Sequence, residues 1–155
     1  QILKAAAHHK GAAFVEILQN CRVFNDATFA DVAERATAEE SRVNLEHGRP
    51  VLFGKGKRKA IVVRNMAPAV VDLDVEQVFE REIVVHDCRS TSPALAAFLA
   101  SLEPPEFPMA MGIFRDVEKP TYDQQLMKRV RDGAAQEGTG DGRRLLNAGT
   151  TWEVG

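Results

Sequence analysis

The sequence predicts an α/β fold, in which a parallel-sheet region is followed by a small α+β extension and a tail. Residues 2–10 have helical spacing, with apolar and small side chains on one face. Residues 13–18 are apolar except for Glu16, a pattern typical of a strand that is buried on both faces. Gly11 lies between them, where a helix commonly ends at a residue without a Cβ atom. A helix, a glycine and a buried strand form half of a parallel α/β unit.

Cys21 follows the predicted strand, at the edge of a parallel sheet where ligands and cofactors usually bind. Asp26 is predicted to cap the next helix, because Phe29, Val32 and Ala33 follow it with helical spacing. The thiol therefore lies in a short loop between a strand and a helix, which suits a metal ligand or a reactive group. The alternative is that Cys21 is a small buried hydrophobic residue, as isolated cysteines near core strands commonly are.

The next part of the chain is predicted to pass from a helix to short strands. Thr37 and Glu40 have the spacing of a capping box at a helix start. Three short apolar runs then predict a small antiparallel meander, at residues 43–46, 50–53 and 60–63. A short strand at residues 70–73 and a short helix at residues 75–79 are predicted to follow.

His86, Asp87 and Cys88 stand side by side after a short apolar triplet. Neighbouring side chains of an extended segment point to opposite faces, so only His86 and Cys88 could share a ligand. A zinc site needs about four protein or water ligands, and this pair supplies two. A small standalone enzyme that uses His86 and Cys88 has only this adjacency in its favour. We therefore predict a structural or interface role for His86 and Asp87.

An amphipathic helix is predicted from Ser92 and Pro93, which have the residue types of an N-cap and a first helical position. Its apolar stripe consists of Leu95, Phe98, Leu99 and Leu102. The two prolines at residues 104–105 end the helix. The spacing assigns this stripe to the core or to a subunit contact.

The last third of the chain is predicted to hold one extended segment, at residues 109–114, and one clear helix, which Thr121 caps. Glycines and polar residues dominate residues 133–142, which predicts a mobile linker. Residues 143–147 are predicted to form one helical turn. The final segment, residues 150–154, holds the one Trp of the chain, and we expect it to dock on a neighbouring subunit or back on this chain.

The composition argues against several classes of function. The formal net charge of −2 gives no reason to expect nucleic acid as a partner. No apolar run approaches the roughly 20 residues of a membrane-spanning helix, so we expect no membrane contact. Two cysteines, Cys21 and Cys88, are too few for a disulfide scaffold, which favours a reducing cytoplasm.

Several segments of the chain, in order, resemble the β subunits of 2-oxoacid:ferredoxin oxidoreductases, especially the 2-oxoglutarate type. They are AHHKGAAFVEILQNCRVFND, NLEHGRPVLFGKGKRKAI, VVHD, EFPMAMGIFRDVEKPTYD and TTWEV, so the resemblance extends over nearly the whole chain. It implies oxidative decarboxylation of a 2-oxoacid to an acyl-CoA, with electrons passed through a [4Fe–4S] cluster to ferredoxin. It also implies thiamine diphosphate and Mg²⁺ as cofactors, coenzyme A as a co-substrate, and an α subunit as a partner.

The resemblance implies that Cys21 is a metal ligand, because the cysteine after this strand is the fourth thiolate of the cluster in that family. The other three cysteines lie in the N-terminal half of the family's β subunits. So does the Gly-Asp-Gly motif with a following Asn, which holds Mg²⁺ and the thiamine diphosphate phosphates. The Gly-Asp-Gly sequence at residues 140–142 lies in a glycine-rich tail without a preceding strand, so we reject it as a cofactor site. No catalytic or thiamine-binding residue is therefore assigned to this chain.

The missing N-terminal half implies that the chain is the C-terminal segment of a longer β subunit, and the chain also begins inside a helix with no initiator Met. Residues 1–26 would end the thiamine-diphosphate-binding domain, residues 27–103 would form the C-terminal α+β domain of the β subunit, and residues 104–155 would form the tail. The other half of the same β subunit would then be a partner. The alternative is a non-catalytic interaction or regulatory subunit in which Cys21 is inert.

A cluster of basic residues lies in the second turn of the predicted meander, at Lys55, Lys57, Arg58 and Lys59. One interpretation is an anion site for the phosphates of coenzyme A or for an acidic ferredoxin. The simpler interpretation is a solvent-exposed hairpin tip, and we favour it because a phosphate-binding loop normally leads into a helix N-terminus.

Overall fold

The described elements begin with short helices, continue with a run of short strands, and end with helices after one further strand. The computed structural model describes residues 1–138, 140–152 and 154–155. In chain order the elements are α1 (Ile2–His8), α2 (Ala30–Ala33), α3 (Ala38–Ser41), β1 (Arg42–Leu45), β2 (Leu52–Phe53), β3 (Lys59–Arg64), β4 (Ala67–Asp72), α4 (Ala94–Ala100), β5 (Met109–Gly112), α5 (Tyr122–Glu137) and α6 (Gly142–Leu146). Two 3-10 turns lie at Lys55–Lys57 and Glu80–Glu82. No helix of the described residues is long and apolar enough to cross a membrane.

The contacts within the chain divide it into two units. One unit comprises Gln1–His9 and Ala13–Val117, and the other comprises Lys10–Ala12 and Glu118–Gly155. The five strands found among the described residues belong to the first unit, which is a mixed α/β structure, as the sequence predicts at that level.

The first unit contains a parallel pair of strands and a three-stranded antiparallel sheet. β1 pairs in parallel with β5, with Val43 opposite Ala110 and Leu45 opposite Gly112. Gly112 has a φ of +130°, and a Cβ atom there would lie 3.0 Å from the carbonyl oxygen of Leu45. The close approach of these two backbones therefore depends on a residue without a side chain.

The antiparallel meander is formed by β2, β3 and β4, so one strand of the predicted meander was wrong. The predicted first strand, at residues 43–46, corresponds to β1 and pairs with β5 instead. β3 and β4 are joined by Asn65 and Met66, whose φ values of 51° and 63° fit the two-residue turns of tight hairpins. This short turn lets β4 pair directly with β3, so β4 is the third strand of the meander in place of β1.

The core of the first unit lies on both faces of β3. Ile61 faces one cluster, whose other fully or nearly fully buried members are Val43, Val51, Phe53, Leu99 and Leu102. Ala60 and Val62 face a second cluster, which includes Val71. The apolar stripe of α4 therefore packs in the core, as the helical spacing predicts.

The predicted strand at residues 13–18 does not form. Phe14 is 90% exposed and Ile17 is 70% exposed, and none of these residues belongs to a strand. A strand is stabilised by cross-strand pairs and by burial of its faces, and no strand of the described residues pairs with this segment. α1 also ends at His8, so Gly11 lies beyond the helix end instead of capping it.

Two predicted helix caps also differ in the structure. Asp26 does not cap a helix, because α2 begins later, after Phe29, and the Asp26 carboxylate accepts a hydrogen bond from the backbone N–H of Ala27. Thr37 directly precedes α3, but its hydroxyl donates to the carbonyl oxygens of Asp31 and Glu34 and forms no capping box. In both cases a side chain bonds to its own neighbouring turn instead of to the helix N-terminus.

Residues 75–79 are not helical, and a 3-10 turn at Glu80–Glu82 follows them instead. Ile83 and Val85 then form isolated antiparallel bridges with Val62 and Pro50. The bridges hold the chain against the meander just before His86.

The second unit consists mainly of helix. Thr121 caps α5 through a capping box in which Gln124 accepts from the Thr121 backbone N–H, so the predicted start was right. α5 continues to Glu137, so the predicted linker was wrong over its first residues. α6 forms near the predicted helical turn, and Trp152 is 83% exposed. Thr139 of the predicted linker and Glu153 of the predicted tail lie outside the described residues.

Candidate functional site

Cys21 lies in an exposed loop that folds back on itself. The backbone N–H of Asn25 donates to the carbonyl oxygen of Cys21 at 2.9 Å, and the two residues form an isolated antiparallel bridge. The thiol is exposed and is not in a disulfide. Cys21 is therefore not a buried hydrophobic residue among the described residues, and its thiol is accessible to a ligand.

The turn between Cys21 and Asn25 affects the acidity of the thiol. Hydrogen bonds from the backbone N–H groups of Phe24 and Val23 lower the pKa of the Cys21 thiol below its usual value, with a smaller contribution from Asn25. Donors aimed at a sulfur favour the thiolate over the thiol. The thiolate is the form that ligates metals, so this loop has the chemistry of a single metal ligand.

A pair of side chains closes the mouth of the same loop. Asn20 Nδ2 donates to Asp26 Oδ1 at 2.9 Å, and Asn20 Oδ1 accepts from the Ala27 backbone N–H at 2.9 Å. Ala27 also donates to Asp26 Oδ1 at 3.0 Å, and its φ is +63°. The Asn20–Asp26 pair therefore stabilises a backbone conformation that an alanine rarely adopts. Asn20 was not predicted from the sequence, because a side-chain bond across a loop has no periodic signal.

Large apolar side chains surround the Cys21 loop and are exposed in this chain. Val23 is 82% exposed and Phe24 is 91% exposed, and Phe14 and Ile17 lie exposed on the segment before the loop. Groups of exposed large apolar residues mark interaction surfaces more often than scattered single ones do. The site therefore combines one thiolate-favouring cysteine with an apolar surface.

The described residues contain no complete metal site. Among residues 1–138, 140–152 and 154–155, no group of three or more His, Cys, Asp or Glu side chains could hold a metal ion. Cys21 fits a metal centre only as one of several ligands, with the remaining ligands supplied by another chain segment.

His86, Asp87 and Cys88 do not form a joint site. His86 is buried, and its Nε2–H donates to the carbonyl oxygen of Ile113 at 2.9 Å. Asp87 points the other way and contacts His47, with Asp87 Oδ1 3.3 Å from His47 Nδ1. Burial raises the pKa of the Cys88 thiol, and the nearby Asp116 carboxylate raises it further. The geometry of His86 and Asp87 is that of structural residues, and Cys88 is a buried thiol with a raised pKa.

The basic turn is held by acidic neighbours. Lys59 Nζ donates to Glu40 Oε2 at 2.7 Å, and the backbone N–H of Lys55 donates to Glu40 Oε1 at 3.0 Å. Arg58 lies 4.0 Å from Asp72. The turn does not lead into a helix N-terminus but into β3, which favours the simpler interpretation of an exposed hairpin tip.

Two further polar features have structural roles. His9 Nδ1 and Asp116 Oδ1 are 2.8 Å apart and join the end of α1 to the segment after β5, a pair that sequence spacing could not reveal. In the rejected Gly-Asp-Gly sequence, the Asp141 carboxylate accepts from the backbone N–H of Arg143 at 2.9 Å and caps α6.

The chain is similar to a subunit of a 2-oxoglutarate oxidoreductase. It is 37% identical over 157 aligned positions to 2-oxoglutarate oxidoreductase subunit KorB of Mycobacterium tuberculosis, an alignment that covers 99% of this chain. The chain spans 41% of the length of that relative. The resemblance found in the sequence motifs is therefore confirmed, and the match is consistent with a C-terminal segment of a KorB-type β subunit. No family model and no solved structure matches the chain.

Proposed function

We propose that the chain is the C-terminal part of the β subunit of a 2-oxoglutarate:ferredoxin oxidoreductase, and that Cys21 supplies one thiolate ligand to a [4Fe–4S] cluster. The observation that supports the proposal is the Cys21 loop, a closed backbone turn that leaves the thiol exposed and its pKa lowered. Iron–sulfur clusters are bound by cysteine thiolates, and their potentials are tuned by hydrogen bonds to the sulfurs. The identity to KorB over nearly the whole chain supports the enzyme class.

The proposed reaction is the oxidative decarboxylation of a 2-oxoacid to an acyl-CoA, with ferredoxin as the electron acceptor. Thiamine diphosphate with Mg²⁺ supplies the carbon chemistry when it is bound, and coenzyme A is the co-substrate. We assign the residues that hold these groups to the N-terminal half of the β subunit and to an α subunit, which are the proposed partners.

The role of this chain near the cluster is to bind one corner and to exclude water. Cys21 contributes the thiolate, and the N–H groups of residues 23–25 supply donors beside it. The exposed apolar side chains of Phe14, Ile17 and Phe24 would pack against the segment that carries the other ligands. A cluster buried in an apolar contact is shielded from water, which affects its reduction potential.

The test of this proposal is the iron and acid-labile sulfide content of the anaerobically purified native assembly with Cys21→Ser. We expect the variant to lose the cluster or to show an altered reduction potential and electron paramagnetic resonance spectrum. Cys88→Ala is the matched control, because Cys88 is a buried thiol outside the loop, and its cluster content should equal that of the unmodified protein.

An unchanged cluster in Cys21→Ser would overturn the assignment of the ligand. An assembly without iron would instead favour the interaction or regulatory subunit in which Cys21 is inert.

A further inference from the structure

We infer that Asn20 and Asp26 are positioning residues that close the Cys21 loop and fix the backbone turn that carries the proposed cluster ligand. This inference rests on the proposed function, because it assigns a role to residues around the same cysteine. It extends that function by naming the pair that sets the loop geometry, neither member of which would touch the cluster as a ligand.

The loop is closed at two levels. The inner closure is the backbone bond from Asn25 N–H to the Cys21 carbonyl oxygen, which shapes the turn beside the sulfur. The outer closure is the side-chain bond between Asn20 and Asp26, one residue further out on each side. The two bonds join successive residue pairs across the loop. The outer bond therefore fixes the positions of the two residues that flank the inner turn.

Asn20 is suited to this position because it bonds through both ends of its amide. Its Nδ2 donates to the Asp26 carboxylate and its Oδ1 accepts from the Ala27 N–H. A carboxylate can only accept and a backbone N–H can only donate, so the amide has one consistent orientation. The left-handed conformation of Ala27 is sterically unfavourable for a residue with a Cβ atom, and the two acceptors on its N–H offset that strain.

The need for the pair follows from the surroundings of the loop. Among the described residues no strand pairs with the segment before the loop, and the large side chains of that segment are exposed, so packing within the described part of the chain does little to fix the loop. Hydrogen bonds that orient a ligand without touching the metal commonly alter metal affinity on the order of 10- to 100-fold. The Asn20–Asp26 pair is placed to have this effect on Cys21.

The test compares Asn20→Ala and Asp26→Ala with the unmodified native assembly. We expect both variants to lose iron to the chelator bathophenanthroline on the order of tenfold faster, because the ligand loop is no longer closed. We also expect Asn20→Ala to shift the cluster midpoint potential, because the loop that orients the ligand is then less ordered. Asn20→Ala changes no charge, so a loss of charge cannot produce this shift.

Two further variants distinguish the loss of the loop-closing hydrogen bonds from the loss of the Asp26 charge. Asp26→Asn removes the charge but keeps an oxygen that can accept from Asn20 and Ala27, so it should retain iron as the unmodified protein does. Asp31→Ala removes an exposed carboxylate that takes no part in the pair, and it should also retain iron.

The failure of this inference is distinguishable from the failure of the proposed function. If Cys21→Ser removes the cluster while Asn20→Ala and Asp26→Ala leave both the rate of iron loss and the midpoint potential unchanged, the positioning role is wrong and the ligand assignment stands. If Cys21→Ser leaves the cluster intact, both are wrong.

Discussion

The two cysteines of the chain lie in opposite electrostatic environments. Backbone donors from Phe24 and Val23 lower the pKa of Cys21, whereas burial and then Asp116 raise the pKa of Cys88. The difference is local, since neither thiol is bonded to another cysteine. Cys21, in an exposed loop, is thus a candidate metal ligand, whereas Cys88 packs in the interior.

The two thiols should therefore differ in their reaction with iodoacetamide. A lowered pKa gives a larger thiolate fraction at any pH below the midpoint, so alkylation of Cys21 in the cluster-free chain should begin at lower pH than alkylation of Cys88. Mass spectrometry of peptides from a pH series measures the two profiles. Equal profiles, or earlier labelling of Cys88, would contradict the environments described here.

Glu40 is predicted to make a small, pH-dependent contribution to stability. The side-chain bond from Lys59, followed by the backbone bond from Lys55, lowers the pKa of Glu40. A carboxyl whose pKa is lowered on folding stabilises the folded state above its unfolded pKa, and this contribution is lost as the pH falls through the folded pKa. Because the pair is partly exposed, Glu40→Gln should reduce the free energy of unfolding by less than about 1 kcal/mol at neutral pH.

Urea unfolding in a series of decreasing pH from neutral measures that difference, which should shrink as the pH falls below the ordinary carboxyl pKa and through the lowered pKa of Glu40. Glu39→Gln is the matched control, since Glu39 precedes Glu40 and is exposed. A difference that persists at low pH would show that Glu40 acts by packing and not by charge.

At the scale of elements, local signals predicted more than long-range ones. The stripe of α4 was predictable because caps and helical spacing lie within a few residues, and Leu99 is fully buried as expected. The pairing of β1 with β5 was not predictable, because the sequence of one strand does not indicate which distant strand it pairs with. The segment around Phe14 had the composition of a buried strand, yet composition does not say which strand will cover it.

The same limit applies to the candidate site. The sequence predicted that Cys21 lies in a short loop between a buried strand and a helix that starts at Asp26. The loop is present, but the strand does not form and α2 begins only after Phe29. The sequence did not reveal the Asn20–Asp26 pair, because such a bond depends on the path of the backbone between the two residues.

Gly112→Ala is predicted to weaken the pairing of β1 and β5. The added Cβ atom would lie 3.0 Å from the Leu45 carbonyl oxygen at a φ that side chains disfavour, which should lower the free energy of unfolding by about 1–3 kcal/mol. Gly133→Ala is the control, because Gly133 lies inside α5 with no atom near its added Cβ, and it should stabilise by about 0.5–1 kcal/mol. Thermal unfolding of the two variants should shift in opposite directions, and equal shifts would contradict the close approach.

At the scale of the whole molecule, the exposed apolar residues before Cys21 predict an effect on assembly without an effect on folding. Phe14→Ser should change the free energy of unfolding of this chain by no more than about 0.5 kcal/mol, because the ring is already exposed. It should weaken association with the partner segments proposed above, measured by size-exclusion chromatography of the native assembly. Val75→Ser is the control, since Val75 is 85% exposed and lies far along the chain from the loop. Equal assembly of the two variants would contradict an interface at Phe14.

The parallel pairing of β1 with β5 also sets an order of events during protein synthesis. The hairpin of β3 and β4 joins neighbouring residues and can form as soon as both strands leave the ribosome. β1 must wait until Gly112 has been synthesised, and until then Val43 and Leu45 remain without their partner strand. A nascent chain that stalls before β5 therefore presents an unpaired apolar edge, the kind of surface that chaperones bind and that aggregates when it is left exposed.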